Sequence, residues 1–185
     1  MPTWAWILIV VAAVVVVALI AFAAWRAQRT KRLQQTFGPE YERVTAGAEN
    51  RREAEAELTE RKKRYEEFDI RPLTPAARDR YLSRWEEVQA RFVDDPEGAV
   101  AAADNLIQQV MRERGYPVDD FDQRSADLSV DHPDVVEHYR EGHAIATSNN
   151  REESRTEELR QAMHHYRSLF DELLVTDREP AEARR

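Results

Sequence analysis

The chain has 185 residues, with 27 Lys and Arg against 35 Asp and Glu, for a formal net charge of −8. Residues 4–25 carry none of that charge, and without them the apolar fraction falls from 42% to about 34%, below the roughly 45–50% of an ordinary globular domain. This excludes a soluble enzyme of ordinary composition and a multi-span transporter. It leaves one membrane segment joined to at most one water-facing domain.

The absence of cysteine excludes disulfides, thiolate metal sites and cysteine nucleophiles, without fixing a compartment. Five glycines leave little material for β-hairpins or phosphate loops, and the balance favours an all-α protein. Charge is unevenly placed: residues 26–64 are net basic and residues 65–185 net acidic. An acidic outer domain repels phosphate backbones, which disfavours nucleic acid as a partner.

Trp4 to Trp25 reads WAWILIVVAAVVVVALIAFAAW. As a helix it rises about 33 Å, enough to cross a hydrocarbon core of about 30 Å. Trp4, Trp6 and Trp25 stand at its ends, where indole rings favour the bilayer interface. Met1-Pro2-Thr3 lacks a basic n-region, and the apolar run exceeds a signal-peptide h-region, so an uncleaved anchor over residues 1–25 is expected. Ala21-Phe22-Ala23 does match the A-x-A cleavage pattern, and keeps a cleaved or extracytoplasmic form as the alternative. Arg26, Arg29, Lys31 and Arg32 follow the span and nothing basic precedes it. The positive-inside bias then puts the N-terminus outside and the remainder in the cytoplasm of a bacterial plasma membrane. The same four side chains can contact anionic lipid head groups.

Residues 26–70 read as a charged helical stalk that Pro39 restarts after Gly38. Asn50 to Phe68 is rich in strong helix formers, with Glu57–Arg61 and Glu60–Arg64 at i,i+4 spacing. The best heptad track runs Tyr41, Val44, Ala48, Arg51, Glu55, Leu58, Lys62 and Tyr65. Charges in its core slots predict a solvated spacer, with a weak parallel homodimer as the alternative.

Residues 71–174 read as a compact bundle of four to five helices. Thr74-Pro75 starts a helix striped by Ala77, Tyr81, Trp85, Val88 and Phe92. Asp95-Pro96 starts a second, which buries Val100 to Met111 and stops at Gly115. A short helix follows, anchored by Phe121 and Leu128. Asp131-His132-Pro133 is expected to open a longer helix carrying Val135, Val136, Tyr139, His143 and Ala146, broken at Ser148-Asn149-Asn150. A capping box of Ser154 and Glu157 precedes the last helix, striped by Leu159, Ala162, Met163, Tyr166, Phe170 and Leu173. Residues 175–185 are charged and aperiodic, so a disordered tail is expected.

No phosphate-binding, zincin, EF-hand or nucleophile-elbow pattern occurs, so neither catalysis nor a cofactor is expected. His138 with Asp134 and Glu141 would share one helix face and could approach an ion; a solvated polar face is the plainer reading. Tyr81, Trp85 and Phe92 are either core or a groove for a partner helix.

The segments Phe37–Tyr41 (FGPEY), Arg71–Leu73 (RPL), Arg91–Pro96 (RFVDDP), Arg114–Val118 (RGYPV) and Ser129–Pro133 (SVDHP) resemble a family of single-pass proteins of actinobacteria and related bacteria. No activity attaches to that family, so the resemblance implies bacterial origin and transfers no site residue. The expected function is a membrane-anchored protein-interaction module meeting a protein partner. An envelope or stress factor outside the cell is the alternative, and an enzyme of another type ranks below both.

Overall fold

The computed structural model describes residues 3–148 and 152–175, which form eight helices and, among the described residues, no strand. They divide into two compact units, with the boundary inside one helix after Thr59.

The first unit contains α1 (Thr3–Phe37), α2 (Pro39–Gly47) and the start of α3 (Arg51–Tyr65). α1 includes a stretch long and apolar enough to cross a membrane, with mean hydropathy 2.4 and none of that window buried. It continues past Trp25 to Phe37 because residues 26–37 lack Gly and Pro. The turn to α2 falls at Gly38, whose φ of 45° suits a residue without Cβ, and Pro39 opens α2.

The segment expected to be a solvated spacer encloses its own small core. Leu33, Phe37, Tyr41, Val44, Ala54 and Leu58 are buried. Glu55, a charged core slot of the heptad track, is only 7% exposed. It accepts hydrogen bonds from Thr30 Oγ1 of α1 (2.8 Å), Tyr41 Oη of α2 (2.9 Å) and Arg51 Nε of α3 (3.0 Å). Burial opposes ionisation of this carboxyl. The three donors outweigh burial and hold it below its ordinary range. A residue that reads as a flaw in a coiled-coil seam thus joins three helices.

The second unit runs from the end of α3 through α4 (Pro75–Arg91), α5 (Pro96–Arg114), α6 (Phe121–Asp131), α7 (Val136–Thr147) and α8 (Glu152–Val175). It begins earlier than the expected boundary at residue 71, because Tyr65 and Ile70 pack against its core. The starts of α4, α5 and α6 follow their caps. Thr74 accepts from Ala77 N at 3.2 Å, Asp95 from Gly98 N at 2.9 Å and Asp120 from Gln123 N at 2.9 Å. Gly115 ends α5 in the left-handed region at φ 98°. A Cβ there would meet Asp69 O at 2.2 Å, so only glycine lets the incoming segment lie against this turn.

Every expected stripe faces one core. Its largest members are Trp85, Tyr139, Tyr166 and Phe170, and Trp85 stacks on Phe170 with ring centroids 4.5 Å apart. Val88 and Phe92 are half-buried against it.

Three expected features differ. α7 begins at Val136, not at Asp131-His132-Pro133, and no side chain caps it. The Asp131 carboxylate is engaged elsewhere: Tyr65 Oη donates to Oδ2 at 2.9 Å, and Tyr116 Oη donates to the same atom. α8 begins at Glu152, which places Ser154 inside the helix rather than at a capping box. Arg64, expected to pair with Glu60, bonds Asp119 (2.7 Å) and Asp127 (3.2 Å) instead. Asn149, Asn150 and the tail 176–185 lie outside the described residues.

Candidate functional site

α7 and α8 form the most extensive helix pairing of the second unit. Their closeness depends on Gly142. A Cβ at that position would come within 3.0 Å of the Tyr166 ring and 3.2 Å of His165 Cβ. Glycine is a poor residue for a helix interior, and here it admits a neighbouring helix. Beside it, His138 and Glu141 project from α7 and His165 from α8.

Three atoms of these residues form a triangle. His138 Nδ1 and His165 Nδ1 are 3.2 Å apart, His165 Nδ1 and Glu141 Oε2 are 3.3 Å apart, and His138 Nδ1 and Glu141 Oε2 are 3.6 Å apart. The side chains are 45% (His138), 49% (Glu141) and 24% (His165) exposed, so the triangle opens to solvent.

The sequence identified two of these three residues. Asp134 is not part of the cluster. It precedes Val136, so it stands in the turn before α7 rather than one turn back on the same face. His165 was missed because it lies 27 residues from His138, and only the pairing of α7 with α8 unites them. A glycine at the centre of an otherwise apolar-striped helix was the available signal for that close approach.

A second feature is an open groove of about 270 Å³ between α4 and α8, lined by Gln89, Phe92, Arg160, Met163, His164 and Arg167. The aromatic stripe therefore splits. Tyr81 and Trp85 are core, at 4% and 1% exposure, whereas Phe92 lines the groove.

A third feature belongs to the first unit. Trp4 and Trp25 are exposed, and the side chain of Trp6 lies outside the described residues. Arg26, Arg29, Lys31 and Arg32 are exposed. Arg26 and Arg29 line a cleft of about 370 Å³ with Phe22, Trp25 and Arg52. Arg51 joins Arg26 in an adjacent cleft of about 410 Å³. Sequence distance concealed Arg51 and Arg52: the return of α2 sets the start of α3 beside Ala23 and Arg26.

A fourth group centres on a buried histidine. His132 has a wholly buried side chain, with Nε2 3.3 Å from Asp131 Oδ2 and Nδ1 3.4 Å from Glu172 Oε1. Burial raises the Asp131 carboxyl above its ordinary range despite two tyrosine donors. The arrangement ties the end of α6 to α8 and to Tyr65 and Tyr116. With its imidazole wholly buried between two carboxylates, the arrangement serves packing. His143, expected on an apolar face, stacks on Phe121 with centroids 3.7 Å apart, and burial lowers its pKa from 6.5.

No family model, curated protein or solved structure matches this chain.

Proposed function

We propose that the chain is a single-pass protein of a bacterial plasma membrane whose helical bundle binds another protein and catalyses no reaction of its own. The groove at Phe92 carries this reading: there a half-buried aromatic side chain at the end of the apolar stripe and the edge of Met163 line an open surface groove. A partner helix inserting one apolar side chain there would bury surface that the bundle leaves exposed.

The N-terminal helix supports anchorage, being apolar and unburied. The basic residues after it support a cytoplasmic bundle through the positive-inside bias. The resemblance to actinobacterial single-pass proteins supports the bacterial assignment. Arg26, Arg29, Arg51 and Arg52 suit contact with anionic lipid. The heptad track that a weak homodimer would use has Tyr41, Val44, Glu55 and Leu58 buried within the chain, which weighs against that alternative. The rival reading, an envelope factor with the bundle outside the cell, rests on the Ala21-Phe22-Ala23 cleavage pattern.

The test is a photocrosslinking residue at position 92 in native membranes, compared with one at the exposed Asn105 of α5. The expected result is a discrete protein adduct from position 92 that is absent from position 105. Equal labelling at both positions, or none at 92, would remove the interaction reading.

A further inference from the structure

We propose that His138, Glu141 and His165 bind a divalent transition metal ion of the zinc class, one per chain, across the α7–α8 seam.

The geometry of the triangle carries the argument. Zinc bonds imidazole nitrogen and carboxylate oxygen at about 2.0–2.2 Å, so two ligand atoms of a tetrahedral site stand about 3.3–3.5 Å apart. The three observed separations of 3.2, 3.3 and 3.6 Å describe one face of such a tetrahedron. Helix spacing makes the face attainable: positions 138 and 141 are one turn apart on α7, and the lack of a Cβ at Gly142 brings α8 close enough to supply the third atom.

Proton bookkeeping gives a second argument. Hydrogen bonds alone cannot satisfy all three contacts. With no proton on either Nδ1, three lone pairs converge. With one proton, placed on His165 Nδ1, that N–H reaches both His138 Nδ1 and Glu141 Oε2, and the 3.6 Å separation of His138 Nδ1 from Glu141 Oε2 is left without a donor. With both protonated, two N–H groups oppose each other at 3.2 Å. A cation at the apex accepts all three lone pairs together. Imidazole and carboxylate donors favour a borderline ion such as Zn²⁺ over Ca²⁺ or Mg²⁺, which take oxygen-rich shells.

The exposure of His138 and Glu141 leaves the fourth position to water or to an incoming ligand. Both histidines must be deprotonated at Nδ1 to bind, so occupancy falls on acidification.

The test uses the untagged full chain in detergent, stripped with a chelator and titrated with Zn²⁺ by calorimetry and with Co²⁺ by visible absorption. One equivalent of Zn²⁺ should bind, and Co²⁺ should develop the intense d–d bands of a tetrahedral site. His138→Ala or His165→Ala should weaken binding at least roughly 100-fold, and Glu141→Gln by a smaller factor. His143→Gln, on the same helix but outside the triangle, should retain it. Circular dichroism of each variant checks that the helices persist, as expected for substitutions at side chains open to solvent. No saturable binding by the parent chain would overturn the proposal, as would binding that survives His165→Ala. An octahedral Co²⁺ spectrum would overturn the tetrahedral assignment.

Discussion

Among single residues, His143 offers the plainest test of how burial shapes a side chain. Its ring is stacked on Phe121 and partly removed from water, so the folded chain binds its proton less readily than the unfolded chain does. With the folded pKa below 6.5, stability is complete above that pH and is lost as pH falls from 6.5 toward the lowered folded value. His143→Gln should therefore flatten the pH dependence of the unfolding midpoint in that window, relative to the parent chain measured alongside. An unchanged slope would mean that other groups carry it. The raised Asp127 and Asp131 carboxyls act in the opposite sense, losing stability as pH rises above 3.8, and they cancel in this difference.

Among elements, the sequence reveals most where chemistry is local. Thr74, Asp95 and Asp120 each bond a backbone N–H three residues on, so adjacent residues suffice to place the starts of α4, α5 and α6. The start of α7 is not legible in this way, because the Asp131 carboxylate is held by Tyr65 and Tyr116, hydroxyls brought in by tertiary structure. The metal candidate follows the same division: His138 and Glu141 are neighbours on one helix, whereas His165 arrives through packing. Gly142→Ala probes that packing. The added methyl would press on Tyr166 and His165, forcing α7 and α8 apart at a cost of about 1–3 kcal/mol. The gain in helix propensity, about 1 kcal/mol, offsets only part of it. Chemical denaturation should show a lower midpoint, and Zn²⁺ affinity should fall in the same variant. A neutral or stabilising result would show that the seam has slack.

For the whole molecule, composition separates an apolar helix from a polar remainder. It does not reveal that the start of that remainder packs with the apolar helix in one unit and that the rest forms a second. The division escapes a reading by periodicity because Glu55, a charged residue in a core slot, is buried and bonded to Tyr41 and to the exposed Arg51 rather than facing water. The absence of cysteine permits a direct topology experiment. Ser83→Cys, at an exposed position of α4, would be the one thiol in the chain. A membrane-impermeant maleimide should label it after lysis and leave it unlabelled in intact cells. Labelling of intact cells would place the bundle outside and favour the envelope reading.

The continuity of α1 has a mechanical consequence. A single helix from Thr3 to Phe37, with neither glycine nor proline along it, has no hinge where the apolar stretch gives way to Arg26. At 1.5 Å per residue the 12 residues beyond Trp25 make a rigid lever of about 18 Å, whose far end, Leu33 and Phe37, is embedded in the first unit. In the membrane-anchored reading, a thinner bilayer inclines the rod and a thicker one lets it stand upright. Because the far end is buried in that unit, such a change of inclination turns the unit as one body.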